Sequence, residues 1–125
     1  MPRKKREKTK YTEKELKEFH KVIDENLERA KSQLKFYMDQ LEELAENPDN
    51  KVKGLDDASS TLESERITTM AARQRKLISH LENAKIRIQN KVYGICRVTG
   101  KLISRERLLA VPHATLSISA KQAQK

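Results

Sequence analysis

Two stretches of this 125-residue chain carry a helical period over unusual length, and they constrain the fold more than anything else in it. From Thr12 onward apolar residues recur at Leu16, Phe19, Ile23, Leu27, Ala30, Leu34, Met38, Leu41 and Ala45, about 3.6 residues apart, which is one face of a helix. Thr12 and Glu15 have the spacing of a capping box at its start. The run stops at ENPDN, where Pro48 and its Asn and Asp neighbours favour a turn. The pattern predicts a helix of roughly 35 residues, about 50 Å long at 1.5 Å per residue. A second run, beginning near LDDAS, places Ile67, Met70, Gln74, Leu77, Leu81, Ala84 and Ile88 at alternating steps of three and four. That is the seam of a coiled coil. Two helices of matched length joined by a loop with Pro and Gly fold most simply as an antiparallel hairpin, each covering the other's stripe. The hairpin is expected over residues 12–92 with a tip loop at 47–60, and the chain is expected to be a monomer. Dimerisation through the same stripes is the alternative.

Gln74 interrupts the seam with a polar group, a usual device for fixing register. His20 and His80 flank the seams with no second ligand at helical spacing, so both read as solvated flanks rather than metal ligands. Charged residues make up 36% of the chain and aromatics 4%, with no tryptophan, so a broad core is not expected. The net charge is +5 over residues 1–10, −1 over 11–91 and +5 over 92–125, within a total of +9. Residues 1–11 read as a basic, disordered arm serving solubility or an electrostatic contact with an acidic partner. A single cysteine allows no internal disulfide. No run of about 18 apolar residues is present to span a bilayer, and the basic start lacks the apolar stretch of a secretory signal. A soluble, cytoplasmic protein without membrane contact is expected.

The segment VYGICRVTGKLI, residues 92–103, reads like the first half of a zinc knuckle. Such a turn usually has the form Cys-x-x-Cys-Gly, with glycine supplying the positive φ that folds the loop over the ion. Here Cys96 is followed by Arg97, Val98, Thr99 and Gly100, so the second thiolate is missing.

From Tyr93 to Lys121 the chain resembles the C-terminal module of the DksA/TraR family, whose pattern is roughly YGxCxxCGxxIxxxRLxAxPxAxxCxxCK. Tyr93, Gly94, Cys96, Gly100, Ile103, Arg107, Leu108, Ala110, Pro112, Ala114 and Lys121 fall where that pattern expects them. The resemblance implies four zinc-ligand positions at Cys96, Thr99, Ser117 and Ala120. Only the first is a cysteine, and the nearby His113 would bring the donors to two, where a structural site needs four. The expected fold is therefore mostly α: a long antiparallel two-helix coiled-coil hairpin, followed over residues 93–125 by a small zinc-finger-like module without zinc. That module is expected to pack through Ile95, Val98, Leu102, Ile103, Leu108, Leu109, Val111, Leu116 and Ile118, with Cys96 as a small buried apolar residue. Carried back without a gap, the family's tip motif Asp-x-x-Asp-x-Ala falls on Lys53 to Ala58. Asp56 and Ala58 are kept, Lys53 replaces the first Asp, and the adjacent Asp57 restores its charge.

The resemblance implies a bacterial transcription regulator that binds RNA polymerase directly. The tip, with Asp56, Asp57 and Ala58, would enter the secondary channel towards the active centre and change the stability of promoter complexes. Arg97, Arg105 and Lys121 would meet the channel rim. In this family's stringent response the alarmone ppGpp is bound at positions matching His80, Val111 and Lys121. Only Lys121 is clearly basic, so a ppGpp response is doubtful and no cofactor is expected. No Ser-His-Asp or Cys-His pairing, phosphate-cradling glycine loop or HExxH is present, so an enzyme is not expected, nor is sequence-specific DNA binding. A second reading is a nucleic-acid binder that uses the basic arm with Arg97, Lys101, Arg105 and Arg107 against phosphates. A third is a self-associating coiled-coil adaptor.

Overall fold

The computed structural model describes residues 10–46 and 54–123. It is mostly α, with no extended strand among them. Helix α1 runs Glu13–Glu46, α2 runs Gly54–Gln89, α3 is Arg105–Ala110 and α4 is Ile118–Ala123. The fold is a long antiparallel two-helix coiled-coil hairpin followed by a small C-terminal module. The chain forms two compact units, one of Met1–Asn26 with His80–Lys125 and one of Leu27–Ser79.

In the first unit α1 begins as its sequence dictates. Thr12 Oγ1 accepts from the Glu15 N–H at 3.2 Å, and Glu15 Oε1 accepts from the Thr12 N–H at 3.0 Å, a complete capping box. Leu16, Phe19 and Ile23 of α1 and Leu81 and Ala84 of α2 are all buried. The helices are tied by Lys85–Asp24 at 2.8 Å and by Lys91–Glu13 at 3.4 Å. The Lys85 hydrogen bond holds the Asp24 carboxyl below its ordinary range.

Helix α2 ends in a Schellman arrangement. The Val92 N–H reaches Arg87 O and the Lys91 N–H reaches Ile88 O, both at 3.0 Å. Lys91 adopts φ 60° there, a conformation more usual for glycine.

Three of the chain's five aromatic residues then build the junction with the module. The Phe19 ring packs edge-on to Tyr11 at 5.0 Å and tilted against Tyr93 at 5.3 Å. The Tyr11 hydroxyl donates to Ile103 O, and the Tyr93 hydroxyl donates to Pro112 O at 2.7 Å. Both phenols thus bury their rings without orphaning their oxygens. Burial pushes the Tyr93 hydroxyl up and out of the physiological range.

Three sequence expectations change here. Tyr11, assigned to a disordered arm, is instead part of the aromatic core, while residues 1–9 lie outside the described residues. The boundary drawn at 92/93 separates residues that the structure puts in one unit, because Tyr11 and Phe19 supply the packing surface for Tyr93. Residues 54–60, read as part of the tip loop, belong to α2. Acids near a helix N-terminus complement its dipole, which suits Asp56 and Asp57 to that first turn.

In the second unit Leu27, Ala30, Ile67 and Ala71 are buried, and Leu34, Leu41, Met70, Gln74 and Leu77 are half-buried. Met38 and Ala45, expected in the seam, are exposed. A two-helix seam covers each stripe from one side only, so wide apolar residues keep an edge in water. Arg75 covers part of Met38, its Nη2 lying 3.0 Å from Sδ.

Gly94 adopts φ +80°, and a Cβ there would meet Tyr11 Cε2 at 2.6 Å, a ring that Phe19 and Ile103 hold in place. Gly100 adopts φ +72° with nothing within 4 Å of its missing Cβ. Gly94→Ala should therefore cost about 3 kcal/mol and Gly100→Ala about 1 kcal/mol in urea unfolding. Equal costs would mean that the aromatic junction yields freely.

Candidate functional site

The knuckle predicted around Cys96 is present as a backbone structure. The Gly100 N–H returns to Cys96 O and the Cys96 N–H to Lys101 O, both at 2.8 Å. An antiparallel bridge pairs Ile95 with Leu102, and the Ile103 N–H reaches Gly94 O at 2.7 Å. Ser104 caps α3, its Oγ accepting from the Arg107 N–H at 3.2 Å.

Each position that would hold a zinc ligand does other work. Ser117 caps α4, accepting the Ala120 N–H on Oγ at 3.2 Å. Ala120 is buried and offers no donor atom. Thr99 Oγ1 accepts from the Lys101 N–H at 3.2 Å, bracing the turn, and the Thr99 hydroxyl also hydrogen-bonds the Cys96 sulfur. Cys96 itself is only 1% exposed, and its Sγ accepts the Ser117 N–H at 3.4 Å.

The donor set does not suit zinc. One thiolate, two hydroxyl side chains and a methyl group cannot supply a tetrahedral Cys/His shell. No group of three or more His, Cys, Asp or Glu side chains able to hold a metal occurs among the described residues.

Cys96 is nevertheless more than a small apolar residue, as the sequence had suggested. Burial pushes its thiol up, but the Thr99 hydroxyl and the backbone N–H groups of Ser117, Thr99 and Val98 outweigh that and pull it down to about 6. Convergent N–H groups stabilise an anion whether or not a metal accompanies it.

Packing of the module also differs in detail from expectation. Ile103 and Leu108 are fully buried, and Ile95, Leu102, Val111 and Leu116 are half-buried. Val98, Leu109 and Ile118 are exposed, while Tyr93, Ala114 and Ala120 complete the core. No single-strand period distinguishes these positions in so irregular a segment.

The expected contact residues are distributed as follows. Arg97 is exposed, and its N–H reaches Thr115 O at 2.9 Å. Arg105 is half-exposed and pairs with Glu18 at 3.0 Å. Lys121 is exposed on α4. Arg107 is structural, its Nε donating to Leu116 O at 2.8 Å. Asp56, Asp57 and Ala58 have helical backbone near the start of α2. Val111 caps the end of α3. His20 pairs with Asp24 at 3.0 Å on its own helix, as a flank residue can. His80 is exposed but stacks on His113, which a reading as a solvated flank did not foresee.

Comparison with known proteins bears on both helices and module. The family model for the prokaryotic dksA/traR C4-type zinc finger matches residues 91–125. The solved structure of transcription factor DksA2 from Pseudomonas aeruginosa matches with a TM-score of 0.79 at 26% identity, covering 87% of this chain and 81% of that one. Residues 91–125 thus match the DksA/TraR zinc-finger module, and hairpin and module together are similar in fold to DksA2. The RNA polymerase-binding transcription factor DksA of Caulobacter vibrioides is 46% identical over 50 residues. General stress protein 16O of Bacillus subtilis is 28% identical over 106 residues, 82% of this chain. These matches span 35% and 63% of the respective curated relatives' lengths.

The low Cys96 pKa has a measurable consequence. A folded value of about 6, below the ordinary 9.0, adds stability that is full above pH 9.0 and is lost as pH falls through about 6. Thiolate absorbance should titrate with a midpoint near 6, and Cys96→Ser should flatten the rise in unfolding temperature across that window. A midpoint at the ordinary value would mean that the N–H groups do not act on the sulfur.

Proposed function

We propose that this chain is a bacterial transcription regulator, not an enzyme, that binds RNA polymerase in the cytoplasm. The observation that carries this reading is the match of hairpin and module together to transcription factor DksA2. The printed name of the Caulobacter relative, an RNA polymerase-binding factor, supplies the partner. No helix among the described residues is long and apolar enough to cross a membrane. In the finer reading the hairpin end enters the polymerase secondary channel and presents Asp56 and Asp57 near the active centre. Arg97 and Lys121, both exposed, contact the rim, with Arg105 in support if its pair with Glu18 opens. The protein acts as a monomer and carries no zinc. In the nucleic-acid reading one of the four module cations, Arg107, is half-buried and already donates its Nε to Leu116 O.

The stringent-response alarmone has few basic groups to meet at the matching positions. His80 stacks on an imidazole, Val111 has no charge, and Lys121 remains. Regulation therefore falls to protein level or to another signal.

Binding is tested by retention of the full-length protein on purified polymerase core enzyme. Changing Arg97 and Lys121 to Ala should weaken retention about tenfold at low salt and less at high salt. Equal retention at both salt levels would remove the rim contact.

Replacing Asp56 and Asp57 with Asn should leave folding and retention nearly unchanged, because Asn still suits the start of a helix. The effect on transcription in vitro should nevertheless be largely lost, since an amide has the shape of a carboxylate without the charge that acts near a metal centre. Regulation equal to wild type at saturating protein would reduce both residues to helix-terminus acids.

Elemental analysis should find far less than one zinc per chain, and a chelator should leave the unfolding temperature unchanged. Stoichiometric zinc would overturn the account of Thr99, Ser117 and Ala120.

A further inference from the structure

Where the first turns of α1 face the last turn of α2, the two helices leave a cleft of about 290 Å³. Glu13, Leu16, Lys17 and His20 line it from α1, and their spacing puts them on one face of that helix. Ile88, Gln89 and Lys91 close it from the other side. All of these residues belong to the first unit.

The cleft follows from how α2 ends. Ile88 is the last residue of the seam, and its carbonyl accepts the Lys91 N–H at 3.0 Å as the chain turns out of the helix with Lys91 at φ 60°. Beyond that turn the next large side chain, Tyr93, packs on Phe19. Leu16 is buried and Ile88 half-buried, so the interior of the cleft is apolar while its mouth stays open to water.

Its rim is charged, and most of that charge is already paired. Glu13 meets Lys91 at 3.4 Å, and Asp24 holds His20 Nδ1 at 3.0 Å. Lys17 is exposed and forms no ion pair among the described residues. The Gln89 amide adds a neutral group that both donates and accepts. A cationic guest would be opposed by Lys17, and a polyphosphate would find one unpaired cation where it needs several. A single negative charge on an apolar body matches both the interior and the rim.

We propose that this cleft binds a small amphipathic carboxylate, its apolar body against Leu16 and Ile88 and its head group on Lys17. Ligand pockets begin at roughly this volume. At about 30 Å³ per non-hydrogen atom, the cleft holds about ten of them, the size of octanoate. Occupancy ties the start of α1 to the end of α2 and so stabilises the folded chain in proportion to ligand. Binding is independent of the polymerase reading, because every contact lies within the first unit. Any effect of the ligand on transcription would rest on that reading.

The test is an amide NMR titration of the full chain with octanoate at low salt. Saturable shifts should be confined to the neighbourhood of Lys17, His20, Gln89 and Lys91. Acetate lacks the apolar body and octylamine inverts the head charge, so each should bind at least about tenfold more weakly. Lys17→Gln, at an exposed position, should weaken octanoate about fivefold, by less in high salt. Glu13→Gln releases Lys91 from its pair and should tighten octanoate about threefold, a gain that damage to the fold would not produce. The site is overturned if octanoate gives no saturable shifts, if octylamine binds as well, or if either substitution leaves the affinity unchanged. It is also overturned if the same amides shift on dilution without ligand, because a second copy of the chain would then fill the cleft.

Discussion

The hydrogen bonds that converge on the Cys96 sulfur are the constraint on which the C-terminal module depends. In a four-cysteine knuckle a metal closes the two halves of the finger. Here the first half, Cys96 to Gly100, is closed by its own turn bonds. It joins the second half through the Ser117 N–H on sulfur and the Arg97 N–H on Thr115 O. A thiolate can occupy the place of a metal-bound sulfur because the backbone donors that would stabilise it next to zinc stabilise it alone. Around it Thr99 braces the turn, Ser117 caps a helix and Ala120 packs a methyl group.

Features governed by local rules were legible in the sequence. The capping box at Thr12 and Glu15 formed as its spacing requires, and the seam from Leu16 to Ala30 is buried at every expected position. The knuckle turn was legible because Gly94 and Gly100 mark its two positive-φ corners. What escaped was set by distant partners. Tyr11 looked like the end of a charged tail until Ile103, 92 residues away, received its hydroxyl. Arg107 looked available to phosphates until Leu116 O took its Nε. The His80–His113 stack joins residues with no shared motif. The protonation of Cys96 followed from backbone N–H directions, which residue identities alone do not encode.

Charge in the second unit shows why a net value misleads. Near the hairpin end its described residues include Asp39, Glu42, Glu43, Glu46, Glu63 and Glu65 and no Lys or Arg. Further along come Arg29, Lys31, Lys35, Arg66, Arg73, Arg75 and Lys76 against Glu28. The hairpin's near-neutral total thus hides separated blocks of opposite sign. Screening over about 8 to 10 Å at ordinary salt keeps such blocks distinct to an approaching partner.

Sequence separation explains why the module is not a free-standing domain. Its largest buried side chain, Tyr93, packs on Phe19 of α1, and its Gly94 turn lies under Tyr11. Ion pairs from Glu13 to Lys91 and from Glu18 to Arg105 bridge the same two parts of the chain. A module of about 30 residues without metal or disulfide buries too little apolar surface to offset its own chain entropy. Tyr11, just before α1, and Phe19 of α1 supply what the module lacks by itself: a fixed body against which the loop can order.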